Sequence, residues 1–297
     1  LVMCLSSLAV LAPSASAAED VMPLDTVRGG KVAITFDDGL KSVYDVALPA
    51  LSAHGMVATA YVITDYIGGT FADQQCMSAA ELQALQAAGW EIGSHSLNHN
   101  KIATLSTEDA IAQFRDSKAA LEALGLDVTT FAYPYGKADD AYNDELVALA
   151  ASYYDRQRST EPDYMFLSEY PEAIEIVGSH YVGSKRNLEH ILDMAAYSDS
   201  VAVLTYHGLG PDGMLLGGEG APMGYTIYDL IACIEARGME TILFRDLPQS
   251  DRDVYVWDNG GATDLASDPA NWKKVTSSGT VVDDAPLESG AYYWWND

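Results

Sequence analysis

Residues 31–39 read KVAITFDDG, an apolar run that ends in two acidic residues and a glycine. β-Branched and aromatic residues dominate the run, so it predicts a buried strand with Asp37 and Asp38 where the strand ends. Further short apolar runs alternate with amphipathic segments up to about residue 247. This alternation predicts an α/β fold in which helices cover a mostly parallel sheet. Roughly seven or eight strands favour a distorted (β/α) barrel, and an open doubly wound sheet is the alternative.

Hydrophobic periodicity and helix-capping signals set the predicted bounds of each element. The predicted strands are Val32–Phe36, Val57–Ile63, Glu91–Ser94, Thr129–Tyr133, Ser152–Arg156, Ile174–Gly178, Val201–Tyr206 and Thr241–Phe244. The predicted helices are Ser42–His54, Ser78–Ala88, Thr107–Leu124, Asp140–Ala150, Asn187–Tyr197 and Ile227–Arg237.

Composition changes along the chain predict its domain organisation. Residues 1–18 are an apolar stretch followed by small residues, which predicts a partial signal peptide and hence a secreted, periplasmic or cell-envelope protein. We expect residues 19–30 to form a linker and residues 31–248 to form the α/β domain. Residues 249–297 are rich in Asp, Gly, Trp and Tyr and predict a short β-rich C-terminal segment, either the start of a small module or a fragment of one.

The charge balance excludes some classes of partner. The chain has 16 Lys and Arg residues against 43 Asp and Glu residues, a formal net charge of −27. Nucleic-acid binding needs a cationic surface that this composition does not supply. No apolar stretch is long enough for stable membrane insertion. Beyond the signal peptide, Cys76 and Cys233 are the remaining cysteines, and the sequence leaves open whether they pair.

Two predicted strand ends together indicate a metal site. Asp37 and Asp38 follow the first strand, and His95 follows the third, with His99 four residues later. In α/β folds the carboxyl ends of the strands bind ligands. Two imidazoles and one carboxylate, here His95, His99 and Asp38, are a ligand set that suits a hydrolytic zinc site or another divalent metal. Asp37 would then remain available for proton transfer.

Two further predicted strands end in residues that can take part in chemistry. One is followed by Tyr133-Pro134-Tyr135-Gly136, where Pro and Gly favour an abrupt turn that can aim a backbone N–H inward. The other ends in Tyr206 and is followed by His207. Taken alone, the first is an ordinary β-turn and the second a structural histidine. They indicate function because they follow strand ends, as the residues of the predicted metal site do.

At these residues the sequence resembles the polysaccharide deacetylases (carbohydrate esterase family 4). The shared series is a Thr-Phe-Asp-Asp-Gly run, a His-containing motif, a Pro-Tyr-Gly turn and a histidine that closes a hydrophobic strand, in the same order across residues 31–247. The resemblance implies a distorted (β/α) barrel of roughly seven or eight strands. It also implies a metal-dependent hydrolase that removes N-acetyl groups from a chitin-, peptidoglycan- or exopolysaccharide-like glycan, with residues 31–248 as the catalytic domain.

The resemblance assigns a role to each motif residue. Asp37 would be the general base and His207 the general acid, while Asp38, His95 and His99 would hold the metal, Zn²⁺ first and Co²⁺ or another divalent ion as alternatives. The Tyr135 backbone N–H would stabilise the oxyanion. The remaining residues that we expect to contact the oxyanion or the substrate are Pro134 and Tyr206.

The sequence departs from the family pattern at two positions. Many members carry an Arg before the Pro-Tyr-Gly turn to orient the base, but Ala132 stands there, as in a subgroup with a Phe-Ala-Tyr-Pro-Tyr-Gly motif. Arg156 and Arg158, on the next predicted strand, are candidates to replace that charge. The last motif usually has a Leu two residues before its His, and here Thr205 takes that place.

Two other functions fit the same residues. One is an O-acetyl esterase that acts on acetylated glycans such as xylan, because the metal and the acid serve either leaving atom. The other is a non-catalytic glycan-binding barrel, although binding alone requires neither Asp37 nor His207. In each case the expected partner is an acetylated glycan, and the sequence gives no indication of the oligomeric state.

Overall fold

The computed structural model describes residues 29–136, 144–160, 170–171, 176–250, 254–257, 272–275, 281–282 and 292–294. The predicted signal peptide, residues 1–18, lies outside the described residues. So do residues 19–28 of the predicted linker and most of the C-terminal segment.

Parallel strands form one curled sheet. They are β1 (Lys31–Phe36), β2 (Thr59–Val62), β3 (Glu91–Ser94), β4 (Thr130–Ala132), β5 (Arg156–Arg158), β6 (Ile176–Val177), β7 (His180–Tyr181), β8 (Val201–Tyr206) and β9 (Glu240–Ile242). The order is β7-β8-β1-β2-β3-β4-β5-β6, with β9 also paired to β1. This order is cyclic and has no reversal point, unlike a doubly wound sheet. The predicted distorted (β/α) barrel is confirmed.

Helices connect the strands and cover the outside of the sheet. Ser78 and Thr226 each accept a hydrogen bond from the backbone three residues later, which closes a capping box at the start of the second and the last helix. A π-helical turn, Val43–Ala47, runs directly into the first helix. The helices are α1 (Leu48–Ser52), α2 (Ala79–Ala87), α3 (Thr107–Ala123), α4 (Asp144–Ala151), α5 (Lys185–Ser198) and α6 (Ile227–Glu235).

Shorter elements lie outside the main sheet. Thr70–Phe71 pairs with Gln74–Gln75, Met214–Leu216 with Pro222–Thr226, and Tyr170–Pro171 with Gln249–Ser250. Single 3₁₀ turns are Thr64–Tyr66, Ile102–Thr104, Gly218–Gly220 and Phe244–Asp246. In the C-terminal segment, Val254–Trp257, Trp272–Val275, Val281–Val282 and Tyr292–Trp294 form a four-stranded sheet.

Alternation along the strands divides the apolar core into two layers. Phe36 of β1 and Phe131 of β4 point outward and pack with the helices in the larger cluster. Ala33, Tyr61 and Phe244 belong to a smaller cluster inside the curl of the sheet. Apolar side chains therefore pack inside the barrel as well as between the sheet and the helices.

Some predicted bounds are wrong. The predicted strand Ser152–Arg156 is displaced, because α4 continues to Ala151 and the strand that follows is Arg156–Arg158. The strand predicted as Thr241–Phe244 ends at Ile242, and Phe244 begins a 3₁₀ turn. By contrast, Glu91–Ser94 has its predicted bounds.

Cys76 and Cys233 are both buried and are free thiols. Within the described ranges, none of the helices combines the length and the apolar character needed to cross a membrane.

Candidate active site

The loops that leave β1, β3, β4 and β8 meet at the carboxyl end of the barrel. They enclose a cavity of about 440 Å³. In the pairing of β2 with β3, Val62 lies opposite Ser94, so the residues that follow these two strands lie next to each other. The cavity is lined by Asp37, Asp38, Phe71, Ala72, Gln74, His95, His99, Tyr135, Gly136, Thr160, Tyr181, His207, Gly217, Gly218 and Gly220.

Asp38, His95 and His99 converge on one point of this cavity. Asp38 Oδ1 lies 3.6 Å from His95 Nε2 and 3.5 Å from His99 Nε2. One ligand atom from each residue lies within 4.8 Å of the others, which is close enough for all three to bind the same ion. The sequence prediction named the same set, although Asp38 lies far from the two histidines along the chain.

Two observations fit this set to a divalent metal. Asp38 Oδ1 is buried and has no hydrogen-bond partner among the described residues. His95 Nδ1 donates to the carbonyl oxygen of Ala132 at 2.8 Å, which leaves the Nε2 lone pair directed towards Asp38. A backbone carbonyl that fixes the tautomer in this way is typical of metal-binding histidines.

The protonation equilibria are consistent with a site that is built for a cation. Burial, together with the neighbouring Asp37 carboxylate, raises the pKa of Asp38 to about 7. Burial lowers the pKa of His95 to about 3 and that of His99 to about 4, so both imidazoles are neutral near pH 7. A neutral imidazole is the form that binds metal. A divalent cation would also stabilise the ionised form of Asp38, which burial disfavours.

Asp37 is held by an arginine from β5, four strands away from β1 in the sheet. Arg158 Nη2 donates to both carboxylate oxygens of Asp37 at 2.6 Å. Its Nη1 donates to Ser179 Oγ at 3.0 Å and to Thr205 Oγ1 at 2.7 Å, which fixes the guanidinium. Burial is the largest single influence and would raise the pKa of Asp37, but the charge and hydrogen bonds of Arg158, together with the nearby His95 and His207, lower it overall. Asp37 is therefore an ionised carboxylate with a fixed orientation.

The two departures from the family pattern meet at this arginine. Ala132 stands where the arginine would be, and Arg158, which pairs with it in register on β5, reaches Asp37 instead. Thr205 accepts a hydrogen bond from Arg158. Arg156, the other candidate, lies two residues earlier on β5, and its Nη2 donates to the carbonyl oxygen of Leu247 at 3.0 Å.

The Pro-Tyr-Gly turn places Tyr135 beside the metal set. The Tyr135 ring is 63% exposed and its centroid lies 4.6 Å from that of His99. Its backbone N–H has no hydrogen-bond partner among the described residues. Pro134 is buried in the turn. Gly136 must be glycine, because a Cβ there would lie 1.7 Å from Thr160 Oγ1.

Tyr206 does not line the cavity, contrary to expectation. It points outward from β8 into the layer between sheet and helices, where its ring packs against Phe36 and its hydroxyl bonds to that of Tyr225 at 2.9 Å. The reversal follows from strand alternation, because Thr205 takes the inward position. His207, one residue beyond the strand, does line the cavity, and burial lowers its pKa.

The backbone around the cavity is strained. Asp38, Ser96, His99 and Tyr135 adopt the left-handed conformation, with φ of 70°, 70°, 64° and 66°. For a non-glycine residue this conformation costs on the order of 1 kcal/mol or more, and it persists only where contacts with the surrounding structure hold it in place. Three of the four line the cavity, so the strain is concentrated where the functional side chains are aimed.

Several cavity residues were not singled out from the sequence. Phe71 comes from the Thr70–Gln75 hairpin and its ring lies 4.9 Å from that of His99. Tyr181 comes from the two-residue strand β7. Gly217 and Gly218 lie in a loop beside Tyr181 and His207. None of these short elements has a hydrophobic period that could have predicted it.

Parts of this chain are similar to known proteins. Residues 25–154 match the family model described as Polysaccharide deacetylase. A putative polysaccharide deacetylase of Bacillus subtilis is 31% identical over 133 residues, which are 44% of this chain and 45% of that protein. The poly-beta-1,6-N-acetyl-D-glucosamine N-deacetylase of Staphylococcus epidermidis is 31% identical over 119 residues, 36% of this chain and 41% of that protein.

Among solved structures, a family 4 carbohydrate esterase from Streptomyces lividans in complex with acetate is similar, at 17% identity and a TM-score of 0.47 over 71% of this chain and 91% of that chain. The match to each of the two curated relatives spans less than half of that relative's length. Taken together, the family model and the curated relatives show that the matched part of this chain is similar to the polysaccharide deacetylases.

Proposed function

We propose that this protein is a divalent-metal-dependent hydrolase that removes N-acetyl groups from a polysaccharide or oligosaccharide. One observation carries the proposal: a single cavity contains a three-ligand set, an ionised carboxylate held by an arginine, and a separate histidine. Amide hydrolysis needs an activated water, a stabilised oxyanion and a proton for the leaving amine. Each of these needs has a residue in the cavity that can meet it.

Asp38, His95 and His99 would hold the metal. The two neutral imidazoles and one carboxylate suit Zn²⁺ first and Co²⁺ as an alternative. When bound, such an ion lowers the pKa of water and polarises a carbonyl group. The unpartnered Asp38 Oδ1 supports this assignment, because a buried carboxylate oxygen without a donor is otherwise costly.

Asp37 would act as the general base. Arg158 keeps the carboxylate ionised and fixes both of its oxygens, so it is oriented to accept the proton of the attacking water. The exposed N–H of Tyr135 would donate to the acetyl oxygen as negative charge develops there. A donor of this kind typically contributes about 3–4 kcal/mol to the transition state.

His207 would protonate the leaving group. Its imidazole lines the same cavity and has a buried Nδ1 with no partner among the described residues. The reaction needs a second proton-transfer group, because an amine is a poor leaving group unless it is protonated. We propose these roles for Asp37, Tyr135 and His207 together.

The names of the relatives favour an N-acetylated substrate. The Staphylococcus epidermidis relative is named for poly-beta-1,6-N-acetyl-D-glucosamine, and relatives from Listeria monocytogenes, 30% identical over 118 residues, are named peptidoglycan-N-acetylglucosamine deacetylases. We therefore propose a chitin-, peptidoglycan- or exopolysaccharide-like glycan. We further propose that residues 31–248 are the catalytic domain and that the protein acts outside the cytoplasm, which the signal-like residues 1–18 support.

Acetate release tests this proposal. The full chain is treated with a chelator, dialysed, and assayed on N-acetylglucosamine oligomers and on acetylated xylan, with Zn²⁺, Co²⁺ or Mg²⁺ added back. We expect release from the N-acetylated oligomers to be lost on chelation and restored by Zn²⁺ or Co²⁺. Release from xylan alone would indicate an esterase. Retention of the oligomers without acetate release from the metal-loaded protein would indicate a binding protein.

A further inference from the structure

Tyr181 forms the wall of the cavity next to His207. Its side chain is 49% exposed, and the two ring centroids lie 6.5 Å apart with their planes at 77°. The Tyr181 hydroxyl accepts a hydrogen bond from the Gly218 N–H at 3.0 Å. The phenol is therefore fixed at its tip while much of the ring remains open to the cavity.

The loop opposite Tyr181 leaves space for this ring. A Cβ on Gly217 would lie 1.6 Å from the Tyr181 hydroxyl oxygen and 2.8 Å from Met223 Cε. Gly217 has φ −93°, a value that any residue can adopt, so the backbone conformation does not demand glycine there. The close approach of Tyr181 does. A Cβ on Gly218 would lie 3.8 Å from the His207 imidazole, so this loop also borders the proposed acid.

Two pairs of rings line the cavity. In one, the ring of His99, from the metal set, lies 4.6 Å from that of Tyr135. In the other, the ring of Tyr181 lies 6.5 Å from that of His207. If the acetyl group lies at the metal set, the nitrogen that receives the proton must lie near His207. The sugar that carries this nitrogen then lies against Tyr181.

We propose that Tyr181 is the platform for the sugar whose N-acetyl group is removed, which makes it a specificity-determining residue of the site. The inference rests on the proposed function, because that function places the leaving amine at His207. A tyrosine face is apolar and suits the C–H surface of a pyranose ring, while its hydroxyl remains bonded to Gly218. Small acyl compounds without a sugar would gain nothing from this contact.

Kinetics on two substrates test the proposal. Tyr181→Ala, Tyr181→Phe and the control Tyr197→Ala are compared on an N-acetylglucosamine oligomer and on 4-nitrophenyl acetate. Tyr197 is a suitable control because it is 55% exposed on α5 and does not line the cavity. We expect Tyr181→Ala to lower the ratio of the two kcat/KM values, oligomer to aryl acetate, by roughly 3- to 10-fold, mainly through KM. Tyr181→Phe keeps the ring and should keep most of that ratio.

Gly217→Ala gives an independent test. Its added Cβ displaces the Tyr181 ring without backbone strain, so the single variant should lower the same ratio. In the Tyr181→Ala background it should have little further effect, because the clashing phenol is gone and the remaining close approach is to Met223 Cε, the end of a flexible side chain. Additive losses would overturn the proposal, and so would equal losses in Tyr181→Phe and Tyr181→Ala.

A binding measurement separates failure of this inference from failure of the proposed function. Calorimetric titration of the metal-free wild type and variants with the same oligomer needs no turnover. Tyr181→Ala should weaken binding and Tyr197→Ala should not. An active wild type with unchanged Tyr181→Ala binding and kinetics would overturn the platform alone. An inactive wild type whose oligomer binding still depends on Tyr181 would overturn the deacetylase and leave the sugar contact standing.

Discussion

The two ends of the sheet each bury a carboxylate, but the groups around them differ. At the amino end, Glu91 Oε2 accepts hydrogen bonds from Thr59 Oγ1 and from the Arg245 N–H, both at 2.9 Å, and Oε1 accepts one from Thr130. At the carboxyl end, Asp38 Oδ1 has no donor among the described residues. Protein donors thus satisfy the first carboxylate, while the second keeps an oxygen for a ligand.

Asp37 shows that position at the carboxyl end does not by itself leave a carboxylate open. It is adjacent to Asp38 yet accepts two hydrogen bonds from Arg158. Neighbouring carboxylates with different partners are the arrangement expected when one binds a cation and the other moves a proton. The number of hydrogen-bond donors around each carboxylate, more than its burial, therefore distinguishes the proposed ligand from the proposed base and both from the structural group.

The largest expected effect is on the proposed metal site, which contains Asp38, the carboxylate with an oxygen that lacks a donor among the described residues. His95→Ala should lose metal and activity together, because it removes one of three ligands. Asp37→Asn should keep the metal and lower turnover by roughly 10²–10⁴, the usual contribution of a general base. Metal content by elemental analysis and acetate release are measured on the same samples. His190→Ala, an exposed histidine on α5, is the control. Equal metal loss in His95→Ala and Asp37→Asn would contradict the division of roles.

A second effect concerns the paired carboxylate. Arg158→Met leaves Asp37 buried without its cation, and breaking such a pair costs about 3–5 kcal/mol of unfolding free energy. Turnover should also fall, roughly 10- to 100-fold, as for other groups that orient a functional side chain. Urea unfolding checks the first result, with the exposed Arg186→Met as control. If Asp37→Asn/Arg158→Met is no more stable than Arg158→Met alone, the two residues are not coupled in this way.

The smallest effect is on the satisfied carboxylate. Glu91→Gln places an amide N–H₂ against donors, which should cost about 1–3 kcal/mol of stability and leave metal binding unchanged. Burial raises the pKa of Glu91 in the folded chain from its ordinary value of 4.5. As pH rises above about 4.5, the unfolded chain ionises first, so the contribution of Glu91 to stability falls.

Unfolding measured at several pH values checks this sign. In the wild type the unfolding free energy should decrease through that window relative to Glu91→Gln, in which the group no longer titrates. Glu108→Gln, an exposed residue on α3, is the control. Loss of metal in Glu91→Gln would contradict the conclusion that Glu91 is structural while Asp38 binds the metal.

The sequence could predict the parts of the fold that depend on local pattern. Val201–Tyr206 was predicted with its observed bounds, because its apolar run is uninterrupted. The predicted strand Ser152–Arg156 lies too early in the chain, because the observed strand, Arg156–Arg158, reads Arg-Gln-Arg and has no apolar periodicity. Its arginines are buried only because their partners, Asp37 and the Leu247 carbonyl, come from remote parts of the chain.

The same limit applies to the site. Asp38, His95 and His99 could be proposed together because Asp38 and His95 closely follow strong strands and His99 lies four residues after His95. Tyr181 could not, because a two-residue strand has no measurable period and its importance depends on contact with Gly218. Tyr206 was misassigned for the opposite reason: the prediction used its place at the strand end and ignored which side alternation gives it.

The origin of the three metal-ligand candidates in separate loops, after β1 and after β3, has a thermodynamic consequence. Their ligand atoms come within 4.8 Å of one another through tertiary structure, so an ion bound there favours the folded chain over the unfolded one. At a hundredfold excess over its dissociation constant, such an ion adds about 2.7 kcal/mol to stability. Melting curves recorded with different ions can therefore rank the metals by affinity before any glycan has been identified.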